Sequence, residues 1–104
     1  MAEMPRCLTI NQANINNKHL YLRAVLDMFP DDVLGGSKKA QEAPRKVRVL
    51  WGREDIMTDI DRTKKIFRQR GWLRRAFDAQ RIQAGDHVLL EQLEPYVYRV
   101  SRVG

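Results

Sequence analysis

The sequence predicts a mainly β domain, a barrel or sandwich plugged by two short helices, and three observations lead there. Apolar and polar residues alternate over several short runs, polar or glycine-containing turns separate those runs, and only two segments carry apolar residues at one-turn spacing. The chain has 104 residues, 43% of them apolar. That is enough for one core and too little for two ordinary domains, so a single domain spanning 1–104 is expected.

Arg6 to Ile10 reads as the first strand, with Leu8 and Ile10 on one face and Thr9 on the other. Cys7 is the single cysteine, so it can form neither an internal disulfide nor a cysteine zinc cluster. No histidine or basic residue is arranged to activate it, and it is expected to be a core thiol. Asn11 to Lys18 holds four asparagines and a glutamine. Short amide side chains bond to nearby backbone and tolerate left-handed conformations, so this segment is expected to be turns.

His19 to Leu22 is expected to be a second strand. Arg23 to Phe29 then forms a short helix with Val25, Leu26 and Phe29 inward, stopped by Pro30. Gly35 to Pro44, with Gly35, Gly36, Ser37, Lys38 and Lys39, has nothing to bury and reads as a flexible loop.

Arg45 to Trp51 alternates strictly, Val47, Val49 and Trp51 against Lys46, Arg48 and Leu50, which predicts a strand with one buried and one largely basic face. Ile56 to Ile60 repeats the pattern, with Met57 and Asp59 on the outer side. Asp61-Arg62-Thr63-Lys64 is then a polar hairpin tip, and Lys65 to Gln69 returns as a strand. Trp72, Leu73, Ala76 and Phe77 fall at one-turn spacing on the inner stripe of a second helix ending near Ile82. Gly85-Asp86 is a turn between that helix and two alternating strands, His87 to Leu93 and Val97 to Arg102.

The net charge is +6, and its distribution is uneven. Residues 1–44 carry 5 Lys and Arg against 5 Asp and Glu, residues 45–83 carry 12 against 5, and residues 84–104 carry 2 against 3. A scattered surplus would read as a solvated face. One concentrated in the middle third points to a polyanionic partner. No basic amphipathic helix presents itself for a membrane surface, and no apolar run is long enough to span one. With no signal-peptide pattern at Met1 to Arg6, the expected compartment is the cytoplasm, in contact with the nucleoid, or the nucleus if the source is eukaryotic.

The order of elements resembles the DNA-binding pseudobarrel superfamily, which includes the plant B-three domain and the DNA-recognition (effector) domain of EcoRII-type restriction endonucleases. The residues carrying the resemblance are Leu8-Thr9-Ile10; Leu20-Tyr21-Leu22 leading through a helix into Phe29-Pro30; Gly71-Trp72 with Phe77; and Ile82, Gly85-Asp86, Val88 and Leu90, with Tyr96 to Val100. The chain departs from the family where Leu22 runs directly into Arg23-Ala24. The resemblance implies a seven-stranded open pseudobarrel with two short α-helices, gripping the major groove of double-stranded DNA with two arms. The N-terminal arm would be Asn11 to His19 and the C-terminal arm Asp59 to Arg68.

The chemistry of both segments is compatible with that grip. Asn and Gln pair bidentately with adenine, Arg and Lys with guanine, and Asp accepts from cytosine N4. Gln12, Asn14, Asn16 and Asn17 in one arm, with Asp59, Asp61, Arg62 and Lys64 in the other, form the expected base-reading set, and Thr63 sits among them. Lys18, Lys65, Arg68, Arg48, Arg53 and Arg70 suit phosphate, where charge decides. Two readings compete for Asp59 and Asp61: cytosine contact, or charge balance on a solvated tip. Trp51 and Trp72 are expected in the core, not as platforms for splayed bases. His19 is a groove contact at most, and His87 has no assigned role.

Catalysis is not expected. A restriction-type nuclease centre needs an acidic residue followed by Asp/Glu-x-Lys, and no Asp or Glu here has lysine two positions later. No Gly-x-Ser-x-Gly elbow, His-Glu-x-x-His helix or phosphate-cradling glycine loop occurs. No cofactor, metal or small-molecule substrate is expected. The sequence reads as a sequence-specific duplex-DNA-binding domain, the recognition domain of a restriction endonuclease whose nuclease domain or subunit lies outside these residues. The alternatives are a stand-alone transcription regulator of the same fold, a small β-barrel RNA-binding or ribonuclease protein, and an adaptor for acidic proteins.

Overall fold

In a computed structural model that describes residues 4–103, the strands form two mixed sheets. They are β1 (Arg6–Thr9), β2 (Leu34–Gly35), β3 (Val47–Trp51), β4 (Glu54–Thr58), β5 (Ile60–Asp61), β6 (Ile66–Phe67), β7 (His87–Glu94) and β8 (Val97–Arg102). The helices are α1 (Gln12–Asn17) and α2 (Gly71–Gln80), with 3-10 turns at Arg23–Met28, Asp31–Val33 and Lys39–Gln41. The larger sheet has the order β1-β7-β8-β3-β4 and the smaller β2-β5-β6. The molecule is mainly β as expected, but with eight strands, not seven, among the described residues.

Alternation decides the larger sheet. In β3 the residues Val47, Val49 and Trp51 are buried while Arg48 is exposed, and in β8 Tyr98 and Val100 are buried around exposed Arg99. β3 pairs antiparallel with β4 and parallel with β8. A pleated strand can bury one face only when its apolar period is two, and these runs satisfy that.

The inner faces of both sheets share one core with α2. Trp72, Leu73, Ala76 and Phe77 are all buried, as their spacing predicts. A chain of rings crosses the core: Phe29 lies 4.5 Å from Tyr98 and 6.1 Å from Phe67, Phe67 is 6.0 Å from Trp72, and Trp72 is 6.4 Å from Trp51. Offset and edge-on aromatic pairs at such distances add to simple burial. The Tyr98 hydroxyl donates to the Met28 carbonyl at 2.7 Å, fixing the 3-10 turn at Arg23–Met28 against β8. Val25 and Phe29 are buried there and Leu26 packs at the edge.

Five expectations need correction. Arg23 to Phe29 does not supply one of the two α-helices: Arg23–Met28 is a 3-10 helix, and the α-helices are Gln12–Asn17 and Gly71–Gln80. Cys7 is exposed, because it shares the outer face of β1 with Thr9 while Leu8 points inward. Asn11 to Lys18 is not a run of turns: Asn11 caps α1, which ends in a left-handed Lys18 at φ 54°. His19 to Leu22 forms no strand; Leu20 and Leu22 bury their side chains from an irregular segment, and the Leu22 N–H donates to the Lys65 carbonyl at 2.8 Å. The 35–44 stretch carries β2 and a 3-10 turn, and Arg68 and Asp59 tether it through the bonds described below.

Candidate nucleic-acid interface

Amide geometry separates the asparagines of the N-terminal segment into two kinds. Asn11 and Asn14 form a reciprocal capping box: each side-chain oxygen accepts the other's backbone N–H, at 2.9 and 2.8 Å. Such a pair satisfies two of the helix's orphan donors. The Asn14 Nδ2 also donates to the His19 carbonyl at 3.1 Å, and the side chain is buried. Asn14 is therefore withdrawn from the base-reading set. Gln12, Asn16 and Asn17 are exposed on the six-residue helix, with Gln12 Nε2 donating to Asn16 Oδ1 one turn along at 2.9 Å.

The C-terminal segment divides in the same way. Asp61 is buried, and its Oδ1 accepts the N–H groups of Thr63 and Lys64 at 2.9 and 3.0 Å, while its carbonyl accepts from Lys65. Lys65 adopts φ 58°, which lets the chain reverse within four residues. The tip that results exposes Arg62, Thr63 and Lys64.

Asp59 points inward, ending β4 and replacing the outward position that alternation predicts. Its Oδ1 accepts Arg68 Nε at 2.7 Å and its Oδ2 accepts the Ala43 N–H at 2.8 Å. Burial pushes the Asp59 carboxyl up, but the Arg68 guanidinium and the Ala43 N–H outweigh it and hold the carboxyl below the usual range. Arg68 further donates to the carbonyls of Gly36 and Lys38, at 2.6 and 3.3 Å. Asp59, Asp61 and Arg68 thus shape the hairpin from within, and neither base nor phosphate contact is open to Asp59 or Asp61.

The end of the first polar segment meets the residues that follow the second. His19, at the end of the first, places Nε2 2.5 Å from Arg70 Nη1 and its ring edge-on to Tyr21 at 5.8 Å. A guanidinium only donates, so this contact assigns the imidazole proton to Nδ1. Burial, then Arg70, then Lys64 of the hairpin hold the His19 pKa below the usual histidine value. Lys65 carries the carbonyl that receives the Leu22 N–H.

Beside them opens a cavity of about 370 Å³ lined in part by Ser37, Lys39, Glu42, Lys64, Arg68 and Arg70. Ser37, Lys39 and Glu42 have no role in the sequence reading. The Lys38-Lys39 doublet is a visible signal, but only the tether to Arg68 places it beside the hairpin.

Arg48 and Arg53 belong to the β3–β4 hairpin. Arg48 is held in a bidentate pair by Asp55 across the strands, at 2.8 and 2.5 Å, which reduces its availability to a phosphate. Arg53 is exposed in the turn. Trp51 and Trp72 are buried, as expected, and Tyr21 is the aromatic ring among the exposed large apolar side chains.

Comparisons of the chain with protein-family models, curated proteins and solved structures give no match. Among the described residues no group of three or more His, Cys, Asp or Glu is placed to hold a metal ion, and no helix is long and apolar enough to cross a membrane.

Proposed function

We propose that this chain is a sequence-specific duplex-DNA-binding module of the pseudobarrel type, working as the recognition part of a larger restriction enzyme. The observation that carries the proposal is the contact between His19, which closes the amide-rich segment, and Arg70, which follows the cationic hairpin, distant in sequence and adjacent in space. One segment exposes the amides of Gln12, Asn16 and Asn17, and the hairpin tip exposes the cations Arg62 and Lys64. Amides recognise adenine edges and guanidinium or ammonium groups recognise guanine. Lys18, Lys65 and Arg70 supply charge to the phosphates alongside.

A duplex partner is favoured over single strands because splayed bases need free aromatic faces: both tryptophans are inside, and Tyr21, the exposed ring, is engaged edge-on with His19 at 5.8 Å. Cleavage is assigned to a separate nuclease domain or subunit. A stand-alone regulator would use the same surface without one.

Selection of bound duplexes from a random pool, followed by a salt titration of the winners, tests the proposal. Enrichment of one short sequence word, with log affinity falling by about 0.9 per neutralised phosphate against log salt, supports it. Preference for single strands or for 2′-hydroxyl-bearing RNA overturns it.

A further inference from the structure

The cavity beside the hairpin combines three segments far apart in sequence: the 37–42 loop, the hairpin, and the residues leading into α2. Its cations are Lys39, Lys64, Arg68 and Arg70, and its carboxylates Glu42 and Asp61. Arg68 is already matched by Asp59, which lies behind it. Asp61 turns Oδ1 toward two backbone N–H groups. Lys39 and Lys64 form no ion pair among the described residues. Ser37 adds a hydroxyl that can donate.

We propose that this cavity is a phosphate seat, with the 37–42 loop as its third wall, and that His19 gains a proton when the seat fills. The source of the phosphate rests on the duplex-DNA reading: it is a phosphodiester of the bound strand. The chemistry of the seat is that of any tetrahedral oxyanion.

Ammonium groups act on such an anion as point charges, and the Arg70 fork adds directed N–H donors. Arg70 is also the residue in contact with His19. The charges facing that imidazole are cationic, Arg70 from the segment before α2 and Lys64 from the hairpin, with the neutral ring of Tyr21 on its edge. An anion drawn to Arg70 and Lys64 cancels the cationic field that, after burial, lowers the proton affinity of the imidazole. The proton affinity of Nε2 then rises, a proton enters from solvent, and the Arg70 donor that faced Nε2 turns to the anion. The sign follows from linkage. If the pKa of His19 is higher in the complex than in the free protein, affinity increases as pH falls through the interval between the two values. The gain is at most about tenfold per pH unit within it.

Two measurements on the full chain test this. Sulfate keeps a constant charge across the histidine range, so a sulfate titration followed by the NMR signals of the imidazoles reads the seat without DNA. The expected result is that sulfate raises the His19 pKa, leaves that of His87 unchanged, and does so much less in Lys39→Ala and Arg70→Ala. In duplex titrations Lys39→Ala is expected to reduce the salt slope by about one phosphate, and His19→Gln to flatten the pH dependence across the histidine range. Thermal melts that match the parent exclude misfolding of these surface variants, and Lys39→Gln repeats the test with a longer neutral side chain.

The seat is overturned if wild type binds duplex while sulfate leaves His19 unmoved and Lys39→Ala keeps the parent slope; the duplex reading then survives. A His19 response to sulfate in a protein that binds no duplex keeps the seat and removes the nucleic-acid source.

Discussion

Arg68 and Asp59 form an ion pair with Nε 2.7 Å from Oδ1, in which the side chains are only 11% and 2% exposed. The same two side chains reach the carbonyls of Gly36 and Lys38 and the N–H of Ala43, so one pair ties the hairpin to the 36–43 stretch.

Arg68→Ala strands a carboxylate inside the molecule and leaves the Gly36 carbonyl without that donor. The expected loss is about 3 to 5 kcal/mol in urea unfolding. The double variant with Asp59→Ala should lose less than the sum of the two single changes. Additive losses would show that the pair is not coupled.

The same carboxylate gives a pH signature. Its pKa is below the ordinary value in the folded state, so its contribution is fully present above the unfolded pKa of about 3.9 and is lost as pH falls through the folded value. Acid unfolding curves of Asp59→Asn should therefore fall less steeply below about pH 4 than those of the parent. Parallel curves would assign the acid limb to other groups.

Asn14 and Asn16 stand two residues apart and should behave differently. Asn14→Ala removes half of the capping box and a bond to His19, costing about 1 to 3 kcal/mol of stability. Asn16→Ala is expected to stay within about 0.5 kcal/mol of the parent and to alter which duplex is selected. Equal melting temperatures for the two variants would contradict the assignment.

Arg62 and Lys65 separate pattern from charge. Arg62→Ala should weaken binding to the preferred duplex by about 1 to 3 kcal/mol and relax preference there, whereas Lys65→Ala should weaken all duplexes alike. If both variants titrate like the parent in gel shifts, the hairpin does not touch DNA.

Arg81 ends α2 in a left-handed conformation at φ 53°. A Cβ is strained there and glycine is not, so Arg81→Gly should gain up to about 1 kcal/mol in thermal unfolding. A loss would mean that the arginine side chain holds the cap.

Much of this fold is legible in residue order, and the exceptions have definite causes. Val47 to Trp51, the α2 stripe and the two long strands follow periodicity because each buries one face against a large core. The run Asn11 to Lys18 misleads because its asparagines favour turns and caps alike; the reciprocal bond between Asn11 and Asn14 stabilises the helix, and composition alone does not reveal it. Cys7 illustrates a one-residue ambiguity: in a four-residue strand, Leu8 decides the inner face and the thiol takes the other.

Exposure is legible at Gln12, Asn16, Arg62 and Lys64. It is not legible at Asn14, Asp59 and Asp61, where side-chain chemistry suited to a base edge is used on the chain's own backbone and on Arg68. Nor does any local pattern place Lys39 and Arg70 around one cavity, since that placement depends on a tether between residues about thirty positions apart.

Because β8 lies between β7 and β3 in the larger sheet, a growing polypeptide that has not yet released Val97–Arg102 from the ribosome has two halves with no strand to join them. The larger sheet can close only after those residues emerge. Arrested nascent chains ending before Val97 should accordingly be more protease-sensitive than chains that include β8.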